Sequence, residues 1–478
     1  MKNSIAIFLF LIGVNALALT EQDFVKKVLN QDANFEKDQI YVTIKQIELD
    51  ASRDSYADWN TNLTASVSNS YYDIEKDTTS TKLYEKHRLK SSKSIGIVTR
   101  KKFLSNPSVL TIKAKRSIPN TDITRYKQDK IYTGKNAEYN ITTFDNIYTI
   151  SYKYPLLKHD GNAESLKTYH RDILDLKREK LDFDDAQEKF LVDRLKQYID
   201  WNSYQKKSEI YQNYRQSLKA IKANQLKGKL KLNTVILRAS QDASNNNAQL
   251  QSLKKALVVA LNDPSLWSEK PRINTDKRPK ILPDLTQYLR HNVRALLKLE
   301  IDKRLKEIDL AYHNNQSLYK LDFSISAEKN DNKGNTMTTK YQSESILYTA
   351  GLKFSMPIGA DVDNQKNVRV AKLNLRKLNI DYDNKLNDIN SDAQALVVGL
   401  ELTKKALDDY QKLRVNVENE VNLAFKEYLD KAITIEMLID VYHNKRDVEL
   451  DYIAVLADYQ KNLLAYNNKL DRVLPDTR

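Results

Sequence analysis

Residues 59–71, WNTNLTASVSNSY, alternate almost without error between two kinds of side chain. Trp59, Thr61, Leu63, Ala65, Val67 and Tyr71 fall on one face of an extended chain, and Asn60, Asn62, Thr64, Ser66, Ser68 and Ser70 on the other. Tyr148, Ile150, Tyr152 and Tyr154 oppose Thr149, Ser151 and Lys153 in the same way. Tyr319, Leu321, Phe323, Ile325 and Ala327 alternate with Lys320, Asp322, Ser324, Ser326 and Glu328. Ile346, Tyr348, Ala350, Leu352, Phe354 and Met356 alternate with Ser345, Thr349, Gly351, Lys353 and Ser355. The pattern predicts strands at about 59–76, 143–155, 318–328 and 344–357, each with one apolar and one polar face. A soluble sandwich and a membrane barrel both produce such strands.

Elsewhere the period is helical. Two stretches without proline, 156–263 and 358–474, are rich in Leu, Lys, Glu, Asp, Ala and Gln, with apolar residues at helical spacing. In the second, Ala406, Tyr410, Leu413, Val417, Val421, Ala424 and Tyr428 step by threes and fours, which is a packing seam of coiled-coil type. Pro264, Pro271, Pro279 and Pro283 crowd into 264–283, which reads as an irregular connector.

On either side of that connector the chain repeats itself. A first repeat, 19–263, is expected to hold a helix, two strands, a long helix at about 163–226 and a returning helix at about 234–262. A second repeat, 284–478, holds the same series, with its long helix at about 363–427 and its returning helix at about 434–472. The turns after the long helices, near Gly228 and Lys431, fall 73 residues past Pro155 and 74 past Pro357. Two equal shafts of roughly 95 Å follow from the helical rise, and each must pack sideways against its returning helix.

Composition narrows the classes. The 478 residues include nine Gly, nine Pro and no Cys, and the formal charge is +14. A mean hydropathy of −0.62 excludes a polytopic helical membrane protein. The absence of Cys excludes disulfides, thiolate metal sites and lipid attachment through a cysteine. Lys2, the apolar run Ile5 to Val14 and Ala16-Leu17-Ala18 read as a signal peptide, 1–18, cleaved after Ala18. An exported chain with alternating strands raises the membrane-barrel reading. Four strands cannot close a barrel alone, because the smallest have ~8. Open edges in lipid leave backbone groups unsatisfied at several kcal/mol each. Spanning strands therefore require several chains to share one barrel, and three chains would give twelve strands.

At this point the chain resembles the TolC family of outer-membrane efflux and secretion channels over essentially all of its mature length. The resemblance rests on the duplicated helix–hairpin–helix plan and on a strand-to-helix motif of proline, bulky apolar residue and nearby glycine. That motif stands as Pro155-Leu156 with Gly161, and as Pro357-Ile358-Gly359. At the second helical turn the family favours Tyr-x-x-Gly-x-x-Ser/Thr; here Tyr428 and Thr434 match, while Lys431 replaces the glycine. The first turn keeps Gly228 but has Lys231 in place of Ser/Thr.

The resemblance implies a mostly helical fold with a membrane β-barrel portion, two repeats of long coiled-coil helices plus β-hairpins, and a homotrimeric α-barrel/β-barrel. It implies a place in the outer membrane of a Gram-negative envelope, a tunnel extending into the periplasm, and an equatorial belt from the 264–283 connector and the termini. The implied role is the exit duct of a tripartite efflux or type I secretion system, opened when a periplasmic adaptor and an inner-membrane transporter dock. Asp440 falls where relatives carry a tip acid that forms a ring in the pore, and Glu436 lies one turn earlier. Asp430 and Lys431, with Gly228, Tyr428 and Thr434, fall at the adaptor-facing tip.

The interval 77–142 departs from its short counterpart at about 329–343. SIGIVTRKKF (94–103) and SVLTIKAKRSI (108–118) alternate partly around Ser105-Asn106-Pro107. They form either an extracellular extension or further barrel strands, which would take the count above twelve. His87, His159, His170, His291, His313 and His443 show no metal-ligand spacing, and no phosphate loop or nucleophile elbow is present. No cofactor or catalysis is expected, nor nucleic-acid binding, since the charge is spread along helices of an exported chain. A periplasmic coiled-coil scaffold or adhesin stalk is the competing reading, but a stalk has no reason to place paired strands before both long helices.

Overall fold

In a computed structural model of the chain, the residues described are 18–31, 33–68, 73–78, 83–103, 108–127, 130–131, 138–157, 167–221, 226–273, 278–316, 318–335, 340–356 and 362–475. The expected signal peptide therefore lies outside them apart from Ala18. The elements run β1 (Ala18–Thr20), α1 (Glu21–Gln31), α2 (Ala33–Ala57), β2 (Asn60–Ser68), β3 (Asp73–Thr78), β4 (Leu83–Lys102), β5 (Val109–Lys127), β6 (Lys130–Ile131) and β7 (Glu138–Pro155). There follow α3 (Lys167–Ala220), α4 (Leu226–Leu261), a 3-10 turn (Pro264–Trp267), β8 (Lys270–Arg272), α5 (Leu285–Asn292) and α6 (Arg294–Gln316). The chain ends with β9 (Lys320–Asn335), β10 (Lys340–Ser355), α7 (Val362–Leu429) and α8 (Ile435–Lys469).

Among the described residues α3 has 54 residues and α7 has 68, or about 80 and 100 Å. Gly228, expected near the first turn, lies within α4, which begins at Leu226. The connector 264–283 is irregular only in part: Asp263 caps the 3-10 turn by accepting from the Ser265 amide at 3.0 Å, and β8 pairs in parallel with β1.

The chain divides into two compact units. One comprises Met1–Val42, Arg178–Glu300 and Ile380–Arg478, and its described residues are mainly helical, with β1 and β8 as its strands. Its apolar residues gather into three clusters because they recur at threes and fours along each helix. In the first, Leu191, Leu195, Tyr198 and Trp201 of α3 meet Leu250, Leu257 and Leu261 of α4, with Leu19, Phe24 and Val28 from the N-terminal segment. The Phe24 and Tyr198 rings stack with centroids 4.7 Å apart. The Tyr198 hydroxyl donates to the Leu19 carbonyl at 2.7 Å and accepts from the Arg272 amide at 3.1 Å, so one side chain ties both short strands to α3.

In the second cluster, Leu386, Ile389, Ala393 and Leu400 of α7 face Tyr459, Leu463 and Tyr466 of α8 and Leu289, Val293 and Leu296 around the α5–α6 junction. The predicted seam on α7 is kept at Val417, Val421 and Ala424, which are buried. Further up it shifts by one residue: Leu407 rather than Ala406 is buried, and Leu413 is exposed.

The other unit comprises Thr43–Lys177 and Ile301–Asn379 and is built on one antiparallel sheet. Its strand order is β10-β9-β7-β5-β4-β2, with β3 paired to the outer part of β4 and β6 to that of β5. β2 and β3 run in line along the same edge of β4, from Asn60↔Arg100 to Ser68↔Ser92 and then Asp73↔Arg88 to Thr78↔Leu83. The interval 77–142 thus supplies two long strands that separate β2 from β7, and among the described residues six strands lie side by side instead of the implied four. Beside the sheet, Asp309 of α6 binds Lys167 at 3.2 Å and Arg171 at 3.1 Å, and Asn364 of α7 donates to the His313 carbonyl at 2.9 Å.

Candidate membrane-spanning sheet and helical tips

The register of the sheet assigns every strand residue to one of two faces, because directly paired residues point the same way. One row runs Thr61–Thr99–Ile112–Ile150–Ala327–Tyr348 across six strands without a charge. Leu63, Ile95, Ile97, Leu110, Tyr152, Phe323, Ile325, Leu352 and Phe354 share this face. Its large side chains are exposed: Leu63 by 69%, Ile97 by 48%, Ile150 by 56% and Leu352 by 67%. On β10 the apolar positions run from Ile346 to Met356, close to the ~9–11 residues a tilted strand needs to cross hydrocarbon. Aromatic residues border the face: the Tyr319 and Phe354 rings meet edge-on at 6.0 Å, and the Lys101 ammonium sits 5.7 Å over Trp59. Such rings suit a boundary between apolar and wet surroundings.

The opposite face is polar. Asn60, Asn62, Thr64, Ser66 and Ser68 of β2 lie beside Arg100, Gly96, Ser94 and Ser92 of β4, and the hydroxyls of Ser66 and Ser94 are 2.8 Å apart. Gly96 suits this close approach, because a Cβ would press at 3.2 Å on the Ala114 carbonyl oxygen and 3.3 Å on the Thr64 hydroxyl. Asp322 is buried on this face between Lys153 at 2.9 Å and Lys320 at 3.7 Å. Pro155 ends β7 in register with Asp322, and the next amide, Leu156, donates to the Leu321 carbonyl at 2.6 Å. Pro155 lacks an amide and so suits a strand end. Gly161, Pro357 and Gly359 lie outside the described residues.

At the tips, the second turn follows from its residues. Lys431 adopts φ +59°, its amide donates to the Tyr428 carbonyl at 3.1 Å, and the Ala432 amide donates to the Glu427 carbonyl at 2.8 Å. This is a Schellman stop, in which a left-handed residue lets two amides close back on the last helical carbonyls. Thr434 then caps α8, its hydroxyl accepting from the Met437 amide at 3.3 Å. Tyr214 and Leu218 of α3, Ile221 just past its end, Leu232 and Ala239 of α4, Ala424 of α7 and Leu438 and Ile439 of α8 pack into one cluster, with Tyr428 half-buried against it. Gly228 is buried in the first turn of α4. Asp430, Lys431 and Asp440 are exposed, Glu436 is half-buried, and Met437 shares the exposed side with Asp440.

Two tip features were not legible from spacing. The His443 ring lies 5.6 Å from that of Tyr214, and the Arg446 guanidinium sits 5.0 Å over Tyr214. Burial and then the Arg446 charge hold the His443 pKa below its ordinary value, while Asp447 and Asp440 pull it up and Lys231 opposes them. Burial pushes Tyr214 up to about 12. A shared α3–α8 register is needed to bring these residues together, and no local motif announces it. Among the described residues no group of three or more acids and histidines is arranged to hold a metal, and no helix is long and apolar enough to cross a membrane.

No protein-family model matches the chain, and no curated protein sequence does. Solved structures do. The open-state MtrE outer-membrane channel of Neisseria gonorrhoeae superposes with a TM-score of 0.61 at 12% identity, covering 96% of this chain and 90% of that one. The CmeC outer-membrane channel of Campylobacter jejuni gives 0.58 at 12% identity over 96% and 86%. The outer-membrane protein VceC of Vibrio cholerae gives 0.57 at 10% identity over 95% of both chains. At these identities the likeness establishes architecture, and the chain has the fold of the TolC-like outer-membrane channels.

Proposed function

We propose that this protein is an outer-membrane channel, the passive exit duct of a tripartite efflux or type I secretion system. A homotrimer would cross the membrane through its shared sheets and be opened by an inner-membrane transporter acting with a periplasmic adaptor. The observation that carries this reading is the charge-free row Thr61–Thr99–Ile112–Ile150–Ala327–Tyr348, backed by a polar face, in a sheet whose edges β2 and β10 have no partner strand among the described residues. In lipid those edges require neighbouring copies. The helices support self-association too, because α7 exposes Leu373, Ile380, Val398, Leu402, Val415 and Leu423. Such a series on one long helix fits packing against a second copy. Asp440, with Glu436 beside it, is the candidate gate acid, and Asp430 with Lys431 the candidate adaptor contact.

Fractionation followed by unboiled gel electrophoresis tests this. The expected result is outer-membrane protein migrating near three chain masses and collapsing to one on boiling. Soluble monomer in the periplasm would support the scaffold or stalk instead.

A further inference from the structure

The β4–β5 hairpin is the part of the sheet that the family plan does not require, and its inner half is patterned like the rest. Ile95, Ile97 and Thr99 of β4 and Leu110, Ile112 and Ala114 of β5 continue the apolar face between Leu63 and Tyr148. The hairpin is paired along the whole of β2 on one side and from Val109↔Lys153 to Ser117↔Asp145 on the other. It therefore cannot leave the membrane level without breaking both ladders. Its polar face is also distinct. Arg100, Lys102, Lys113 and Lys115 lie there among Ser94, Gly96, Val98, Val109, Thr111 and Ser117, with no acid. The polar faces of β7, β9 and β10 are balanced, with Lys153, Lys320 and Lys353 against Asp145, Asp322 and Glu328.

We propose that β4 and β5 are membrane-spanning pore-wall strands, which widen the channel and give its lining an excess of positive charge that favours anionic solutes. This rests on the trimeric channel reading. Three chains of six strands close an eighteen-stranded wall. Barrel diameter grows roughly linearly with strand number, so the pore is about 1.5 times as wide as a twelve-stranded one. The hairpin contributes four cations per chain to a water-filled, low-dielectric-walled passage, where a surplus of one sign raises the local concentration of the other.

The natural absence of cysteine allows single-cysteine variants of the full chain without background. In proteoliposomes, Ile97→Cys and Ile112→Cys should react with a water-soluble maleimide about tenfold more slowly than Lys115→Cys. Once labelled in detergent, their fluorophores should be quenched by nitroxide lipids as fully as at Leu63→Cys and Leu352→Cys. Lys115→Cys should react faster with an anionic sulfonate methanethiosulfonate than with its trimethylammonium counterpart, and Arg100→Gln with Lys113→Gln should reduce that ratio. Water-accessible Ile97→Cys and Ile112→Cys beside lipid-protected Leu63→Cys and Leu352→Cys would place the hairpin outside the membrane, overturning this proposal while the channel stands. Water access at all four positions would overturn the channel reading itself. Equal rates for the two charged reagents would remove the anion-favouring lining.

Discussion

The backbone amide of Ala432 donates to the carbonyl of Glu427 at 2.8 Å, closing the end of α7 over Lys431 at φ +59°. A side chain in that left-handed conformation costs about 1–2 kcal/mol relative to a right-handed one. Glycine removes the strain but adds freedom to the unfolded chain. Lys431→Gly is therefore expected to leave the tip as stable as before or up to about 1 kcal/mol more so, and Lys431→Ile to lose about 1 kcal/mol or more. Hydrogen exchange at the amides of 430–434 measures it. Faster exchange in Lys431→Gly than in the parent would contradict the turn geometry.

That turn also shows what sequence carries and what it does not. Tyr428 and Thr434 match the family's turn pattern and Lys431 stands where it has glycine; of these, Lys431 supplies the left-handed stop and Thr434 the helix cap, both local jobs. Local jobs leave local signatures. The apolar face of the sheet was legible for the same reason, since alternation needs only neighbours along one strand. The place of the first helical turn is not. Gly228 does not mark it, because a glycine near a helix start is compatible with the helix as well as with the turn, and α4 takes it in. The interval 77–142 alternates too, yet which strands it pairs with depends on β2 and β7, which are distant in sequence. The charged cluster around Arg294 depends on α3, α6 and the segment after α8 arriving together, and spacing within one element cannot reveal that.

Arg294 is that cluster's hub. Its guanidinium donates to Asp185, to the buried Glu188 and to Asp471 at 3.0 Å, while the Val473 amide donates to Glu188 at 3.3 Å. Burial pushes the Glu188 and Asp471 carboxyls up, and the Arg294 contacts pull both back. Removing one partner of such a buried set typically costs about 3–5 kcal/mol, because the others stay buried and unpaired. Arg294→Met should cost that order. A carboxyl whose folded pKa exceeds its unfolded one favours folding below the unfolded value and loses that contribution as pH rises through the folded value. Without Arg294 both folded values climb further, so the deficit should shrink between pH 8 and pH 5. Denaturation of the detergent-solubilised protein at the two pH values checks it; a deficit that grows on acidification contradicts the assignment.

Asp440 is exposed on α8 beside Met437, with the buried pair Leu438 and Ile439 on the other side of the helix. Three copies facing one pore would form a ring of carboxylates that holds cations and repels anions there. Asp440→Ala should then raise single-channel conductance in planar bilayers. It should also swing ion preference from cations, selected at the tip, toward anions, favoured by the sheet lining. Unchanged conductance and selectivity would take Asp440 out of the pore.

His443 sits one turn beyond Asp440, against Tyr214 of α3, and its pKa lies below the ordinary 6.5 because of burial first and Arg446 second. A lowered folded value means that the unfolded or opened tip binds a proton more readily than the packed one. The packing contribution of His443 is therefore intact above pH 6.5 and is lost as pH falls through the folded value. Acidification should loosen the α3–α8 contact, seen as faster exchange of the amides around Tyr214 and His443 at pH 5.5 than at 7.5 after correction for intrinsic rates. His443→Gln keeps a polar side chain of similar reach without the titration, and its tip should respond far less over the same interval. Asp440 and Asp447 both support the protonated ring, while Arg446 and Lys231 oppose it. Asp440→Ala should thus move the transition to lower pH, whereas Lys231→Gln should move it up. Equal responses in the parent and His443→Gln would assign the loosening to another group.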